Sequence, residues 1–453
     1  MTKSMTEGRP LKLLLQFALP LLLGNLLQQT YNMIDAAIVG RTLGTGALAG
    51  VGASSSVQFL VLGFCIGTCA GFGVPISKSF GAGNDKELRS CVFHAMALTA
   101  AVAVILTMGC VLFCPQILKI LSVPEDIYEN AYRYLVVIFL GLPFTLLYNL
   151  LSSILRSVGD SRTPFLFLAI STVLNIFLDL FCIVVLKWGC AGAAIATITA
   201  QAVSGISCLI YINKKYTILQ LTPKDCQLKP QILKRLAMMG FPMGLQFSIT
   251  AIGSMVMQSA NNGLGSVYVS GFTAGARIKQ FAMCPFDAIA TAVSVFCGQN
   301  LGAGKIDRIR KGIKEGMAIG IAYGLAIGLV LILGGRTLAM LFVSSAEVAV
   351  LDAAAKYLRC LGYFYWLLGI LNVCRMSVQG LGFAGRAIFS GITEMIARTA
   401  VSLLFVGTFG YTAICFADQA AWLSASLYIA IMCYFCVKEV AKRSGKEIPE
   451  SGK

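Results

Sequence analysis

The sequence predicts an all-α polytopic membrane protein of twelve transmembrane helices, arranged as two six-helix lobes related by pseudo-two-fold symmetry. Three observations lead there. Of the 453 residues, 57% are hydrophobic and only 12% are charged, a balance that leaves a soluble domain short of polar surface. The apolar residues gather into runs of about 20 or more, the length an α-helix needs to cross the hydrocarbon layer. The two halves of the chain also repeat one another. Inside a bilayer every backbone group must find a partner within a helix or a closed barrel, and the alternating segments of about ten residues that mark a barrel are absent.

The runs between charge and turn clusters place spans near 13–37, 48–76, 91–114, 131–153, 164–186, 190–212, 235–260, 266–297, 313–334, 353–379, 387–409 and 412–437. The first run follows Lys3, Arg9 and Lys12 without a small-residue cleavage site, so it is expected to stay as the first span. With the N-terminus cytoplasmic, inner segments hold 25 lysines and arginines and outer segments hold seven. That asymmetry predicts cytoplasmic N- and C-termini in a multi-pass cell-membrane protein. It also accounts for most of the formal charge of +16, so nucleic acid is not an expected partner. The sixteen cysteines, lacking paired zinc spacing, read as small core residues. His94, the only histidine, reads as an interface residue at the start of the third span.

The longest polar stretch, 213–235, divides the chain. It gives an N-terminal lobe (1–212), a cytoplasmic inter-lobe linker (213–235), a C-terminal lobe (236–437) and a cytoplasmic tail (438–453). At a shift of 221, Phe80, Gly81, Ala82 and Gly83 match Leu301, Gly302, Ala303 and Gly304, and Gly50 matches Gly271. At a shift of 223, Tyr134 and Leu135 match Tyr357 and Leu358, and Gly159 matches Gly382. Six spans per repeat is an even number, so both repeats enter the membrane with the same orientation. In the ninth span Gly316, Gly320, Gly324 and Gly328 recur every four residues, a pattern for close backbone packing inside the bundle. The 298–305 loop superficially suggests a phosphate loop, but Ile306 stands where a magnesium-holding hydroxyl is needed, so ATP is not the expected energy source.

Ionisable groups inside spans are expensive, and each is therefore a functional candidate. In the first span Asn25, Gln28, Tyr31, Asn32 and Asp35 form one polar stripe at helical spacing. In the fifth, Asn175 and Asp179 lie four apart on one face. Two carboxylates with neutral oxygens nearby suit a hard monovalent cation such as Na⁺, or a proton. The second half carries Asp287, Arg375, Glu394 and Arg398 within spans, and Glu394 and Arg398 are spaced either to pair with each other or to face a cavity. With Gln28 and Asn32, these four are the candidates for lining a substrate cavity. Arg277 and Lys279 receive no role. An intramembrane enzyme would need a nucleophile with its base, or metal ligands, and neither constellation is present.

These motifs resemble the multidrug and toxic compound extrusion (MATE) family. The matching residues are Pro20 with Asp35 and Val39, Gly40 and Arg41, the triplet Gly240, Phe241 and Pro242, the run from Gly298 through Asn300 to Gly304, and the Leu155 to Asp160 turn. The resemblance implies the MATE fold and export of small, mostly cationic organic compounds and amphiphilic drugs against Na⁺ or H⁺, by a monomer with no cofactor beyond the coupling ion. It further implies a cation site of Asp35, Tyr31, Asn175, Asp179 and Thr197, with Pro20 as the point where the first helix bends. The NorM-like branch adds a Glu in the seventh helix and an Asp in the tenth. Here Thr250 stands near the first position and the tenth span has no acid, which places the chain nearer the DinF-like branch. A lipid-linked oligosaccharide flippase of the same superfamily is the alternative expectation.

Overall fold

A computed structural model of the chain describes residues 3–120, 123–223 and 225–445, and every regular element among them is helical. The helices are α1 (Pro10–Leu43), α2 (Thr45–Gly81), α3 (Asp85–Leu112), α4 (Cys114–Ile120), α5 (Glu125–Leu140), α6 (Leu142–Ser157), α7 (Arg162–Leu180) and α8 (Gly189–Lys215). After these come α9 (Pro230–Asn262), α10 (Ser266–Gly302), α11 (Ile306–Ala339), α12 (Val348–Phe364), α13 (Leu367–Gly380), α14 (Ala384–Ala400), α15 (Val406–Phe409) and α16 (Tyr411–Arg443). Among the described residues ten helical stretches are long and apolar enough to cross a bilayer, and two bent pairs bring the number to twelve.

Those pairs are the expected fourth and tenth spans, and each is broken: Ile127–Leu140 meets Leu142–Ser157 at 48°, and Val348–Phe364 meets Leu367–Gly380 at 59°. At the first break Pro143 opens the new helix, where a missing N–H and a fixed φ are tolerated. The second has no proline. There the backbone tightens to three-residue turns, Leu368 N–H donating to Tyr365 O and Gly369 N–H to Trp366 O, each at 3.1 Å.

The chain forms two compact units: unit 1 runs up to Ser4 and through Leu23–Gly244, and unit 2 comprises Met5–Leu22 and the chain from Leu245. The division falls inside α1 and α9. In α1 the two ends bury in different cores. Leu14, Phe17 and Leu21 pack with Phe286, Val293 and Ile414, whereas Val39 packs with Tyr134, Ile183 and Ala194. The 213–235 stretch, read from sequence as an inter-lobe linker, packs into unit 1: Tyr216 and Leu219 are buried in its core and Asp225 accepts a hydrogen bond from Arg89 at 3.0 Å. His94 is buried, not interfacial. Its Nε2 accepts the Lys229 N–H at 2.7 Å, so Nδ1 carries the proton it shares with Ser90 O at 2.7 Å. Cys226 departs from the core reading of the cysteines, since it is exposed in this stretch.

Each unit repeats one packing scheme. In unit 1, α2 packs on α3, α5 and α6, and α7 on α8; in unit 2, α10 packs on α11, α12 and α13, and α14 on α16. The match reaches single residues. A Cβ on Gly50 would stand 3.0 Å from Asn130 Cβ, and one on Gly271 would stand 2.7 Å from Ala353 Cβ, so each glycine admits the same neighbouring helix. The four-residue glycine row of α11 is internal packing, with Gly320 against Gly369 and Gly328 against Gly362.

In the turn before α7, Asp160 caps the helix: its Oδ1 accepts the Arg162 and Thr163 N–H groups at 2.9 and 3.0 Å, and its Oδ2 accepts the Thr163 and Tyr216 hydroxyls. Burial alone would raise this carboxyl's pKa, but the donors outweigh it and hold the pKa below the ordinary value. A depressed folded-state pKa means stability that is present above the unfolded value and lost as pH falls through the folded one. We expect Asp160→Ala to lower stability by about 1–2 kcal/mol at neutral pH, and by less as pH falls below about 4. Thermal unfolding in detergent across pH checks this.

Candidate functional site

The candidate site lies wholly in unit 1, where α1, α7 and α8 bring five sequence-predicted residues together. Asp35 and Asp179 are near enough for each carboxyl to act on the other. Two unshielded negative charges in a low-dielectric pocket repel, so such a pair favours a proton or a bound cation. Tyr31 OH and Thr197 Oγ1 share a hydrogen bond at 3.1 Å, and Thr197 Oγ1 also donates to Ala193 O one turn back at 3.1 Å. Tyr31 is close enough to both carboxyls to feel their charge.

Asp179 is fully buried and Asn175 is 3% exposed. Five buried side-chain atoms of the pocket have no hydrogen-bond donor or acceptor among the described residues: Asp35 Oδ1, Asp179 Oδ1 and Oδ2, and both amide atoms of Asn175. Leaving one such group unpaired costs about 1–3 kcal/mol, and more for charged groups, so five in one pocket mark a place built for an additional partner. Two carboxylates, the Asn175 carbonyl and two hydroxyls are a hard, all-oxygen donor set. With only two acids it suits a single positive charge, and no group of three or more His, Cys, Asp or Glu is placed to hold a metal among the described residues.

Local backbone geometry supports the pocket. Directly after Asp179 the helix widens into a π-helical turn over Phe181–Val185, closed by the Leu186 N–H donating to Phe181 O at 3.0 Å. Such widenings concentrate at functional sites because they turn side chains off the regular helical face. Neither Pro nor Gly announces this one. The apolar wall, Val39, Tyr134, Ile138, Ala193 and Ala194, keeps the local dielectric low. Tyr134, which feels the charge of both acids, and its neighbour Gln58 belong to the pocket edge, and neither was a site candidate from sequence. The available signal was the match of Tyr134 with Tyr357. Gln28 and Asn32 share the stripe but bond to each other at 3.3 Å on an accessible surface, outside the pocket.

The second-half candidates meet a different fate. Arg375, Glu394 and Arg398 do not line an open cavity; they are buried in a closed ion network of unit 2. Glu394 lies between Arg375 at 2.7 Å and Arg398 at 2.9 Å, and Arg398 continues to Asp418 at 3.0 Å. Asp418, absent from the sequence candidates, also receives Lys279 at 2.8 Å and the Tyr357 hydroxyl at 2.9 Å. A carboxylate and a guanidinium that saturate each other hold no free valence for a substrate. Asp287 stands apart, accessible between buried Phe286 and Ala288 and within the field of the Arg375 charge.

The chain is similar to known proteins in sequence and in fold. A "Probable multidrug resistance protein YpnP" of Bacillus subtilis is 33% identical over 83% of this chain and 84% of its own length. A second B. subtilis relative, the "Probable multidrug resistance protein YoeA", is 26% identical over 81% of this chain and 80% of its own. Among solved structures, a MATE protein in complex with MaL6 superposes with a TM-score of 0.91 at 22% identity, covering 98% of this chain and 100% of the other, which shows a shared fold. The MatE family model matches twice, over residues 20–181 and 242–404, once in each half. The chain is therefore a multi-pass membrane transporter that belongs to the MatE family.

Proposed function

We propose that this transporter is a secondary active exporter of small, mostly cationic organic compounds, exchanging them across the plasma membrane for Na⁺ or H⁺ taken up at Asp35 and Asp179. The observation that carries this reading is the pair formed by half-buried Asp35 and fully buried Asp179, whose unpaired oxygens lie with the unpaired amide of Asn175. The multidrug names of the B. subtilis relatives support the substrate class, and the absence of a second acid pair in the seventh and tenth spans supports placing coupling in unit 1.

Binding one cation changes the pocket charge by one unit. Asp35 lies on α1, whose Pro20 lacks an N–H and lies two residues before the point where the helix passes from unit 2 to unit 1. A helix without that hydrogen bond bends at lower cost, so occupancy at Asp35 can bias which conformation of α1 prevails. Efflux of a cationic dye from proteoliposomes under an imposed Na⁺ or pH gradient tests the reading. A monomer that concentrates dye against its gradient under one of the two is expected; dye movement that only equilibrates under both would sink the proposal.

The proposed topology puts both termini and the 213–235 stretch in the cytoplasm. Cys226 offers a built-in probe, because it is the exposed thiol among sixteen. A membrane-impermeant maleimide should label it in inside-out vesicles and spare it in intact cells, with Cys226→Ser abolishing the signal. Labelling in intact cells would reverse the orientation.

A further inference from the structure

The internal repeat allows the two polar clusters to be compared position by position. Pro20 and Pro242, the starts of the two family matches, are offset by 222. Gly189 and Gly410, at positive φ of 62° and 54°, head the last helix of each half with an offset of 221, and Gly159 and Gly382, at 85° and 93°, precede α7 and α14 with an offset of 223. On this register the charged cluster of unit 2 falls on the pocket of unit 1. Lys279 takes the position of Gln58, Tyr357 that of Tyr134, Arg398 that of Asn175 and Asp418 that of Thr197. The two acids of unit 1 go the other way: Asp179 corresponds to Ser402 and Asp35 to Met257.

The exchange is chemically consistent. In unit 1, neutral side chains surround two carboxyls that lack an internal cation. In unit 2 one acid, Asp418, stands in the same helical framework with Lys279 at 2.8 Å, Arg398 at 3.0 Å and the Tyr357 hydroxyl at 2.9 Å. The Lys279 ammonium also lies 5.9 Å from the centre of the Tyr357 ring. Within the closed network two acids, Glu394 and Asp418, meet three bases, Lys279, Arg375 and Arg398, so each acid already has an internal cation.

We propose that the unit 2 cluster is the non-exchanging counterpart of the coupling pocket, in which Lys279 supplies as a tethered ammonium the charge that unit 1 takes from a solution cation. Lys279 thereby limits the transporter to one coupling pocket. Its removal opens a second site for a small monovalent cation beside Asp418. The inference rests on reading Asp35 and Asp179 as the cation pocket, and its test is separable from that reading.

The groups facing Asp418 are Lys279 from α10, Tyr357 from α12, Tyr365 beyond it and Arg398 from α14, with Glu394 acting through Arg398. With Lys279 removed, neither tyrosine supplies positive charge and Arg398 is shared with Glu394. Asp418 then gains from Na⁺ or a proton. The experiment measures thermal unfolding of the full chain in detergent against NaCl at constant ionic strength, and against pH. In an Asp35→Asn/Asp179→Asn background, which leaves no acid in the unit 1 pocket, the midpoint should be flat; adding Lys279→Gln should make it rise on the order of a few degrees with Na⁺ or acid. Lys279→Arg should stay flat. Should the Gln variant fail to fold, Lys279→Ala purified with methylammonium should recover a folded protein that the amine stabilises.

A folded Asp35→Asn/Asp179→Asn/Lys279→Gln protein that ignores Na⁺, pH and methylammonium would overturn the proposal, as would Lys279 variants that no small cation rescues. If the Asp35→Asn/Asp179→Asn background keeps a cation response, the unit 1 reading fails, while the increment added by Lys279→Gln still decides this one.

Discussion

Asp35→Asn is expected to abolish gradient-driven efflux, to the background of empty liposomes, while leaving membrane insertion and fold intact. The substitution keeps the size of the side chain and fixes it in the neutral form that a protonated or cation-paired carboxyl presents. It also removes the repulsion between Asp35 and Asp179, so the variant should be at least as stable as the parent in cation-free buffer at alkaline pH, and its unfolding midpoint should depend less on Na⁺ and on pH near neutrality. Asp179→Asn should behave alike, because the two carboxyls share one pocket. Measuring dye efflux and thermal unfolding on one preparation separates lost coupling from lost fold. A variant that still pumps dye uphill at the parental rate would place coupling elsewhere.

The second large effect is expected in unit 2. Arg398→Ala leaves Glu394 with Arg375 and Asp418 with Lys279, and removes two buried charge-assisted hydrogen bonds of 2.9 and 3.0 Å. A hydrogen bond to a charged group is worth about 1.5–3 kcal/mol, so losing two in a buried network costs about 3–6 kcal/mol. We expect loss of that size, seen as low yield or a sharply lower unfolding midpoint. Exchanging Glu394 and Arg398 should not rescue it, although the spacing alone suggests a self-contained pair. The exchange would set a guanidinium at position 394 against Arg375 and a carboxylate at position 398 against Asp418, like charges on both sides. Unfolding midpoints of the single and exchanged variants check this, and a stable exchanged variant would show that the pair is isolated from its neighbours.

The contrast between the two clusters explains what the sequence makes legible. Asp35 and Asp179 stand out because an acid in an apolar run must meet water, a cation or a partner, and their helical faces follow from four-residue spacing. The closed network is different. Lys279 and Asp418 are 139 positions apart and Arg375 and Glu394 are 19 apart, so only the i, i+4 contact of Glu394 with Arg398 is written locally. Asp418 obeys the same rule as Asp35, but an inventory of span acids that omits it leaves Arg398 without its second partner. Span length and apolarity likewise foretell twelve crossings and say nothing of the breaks at Gly141 and Tyr365, which arise from turn geometry, or of the π-helical turn after Asp179. The 213–235 stretch is polar enough to suggest a free linker, yet Tyr216 and Leu219 carry it into the unit 1 core.

The central claim is that cation and drug compete through the Asp35 and Asp179 pocket, and the drug dissociation constant measured against Na⁺ concentration at fixed pH, and against pH at fixed Na⁺, tests it most directly. Linkage requires that if a bound cation weakens drug binding by some factor, bound drug weakens cation binding by the same factor. In the parent protein, drug affinity should fall as the coupling cation rises, and direct cation-binding measurements with and without drug should return an equal factor. In Asp179→Asn both dependences should vanish. A drug affinity that still responds to the cation in Asp179→Asn as it does in the parent would contradict the account.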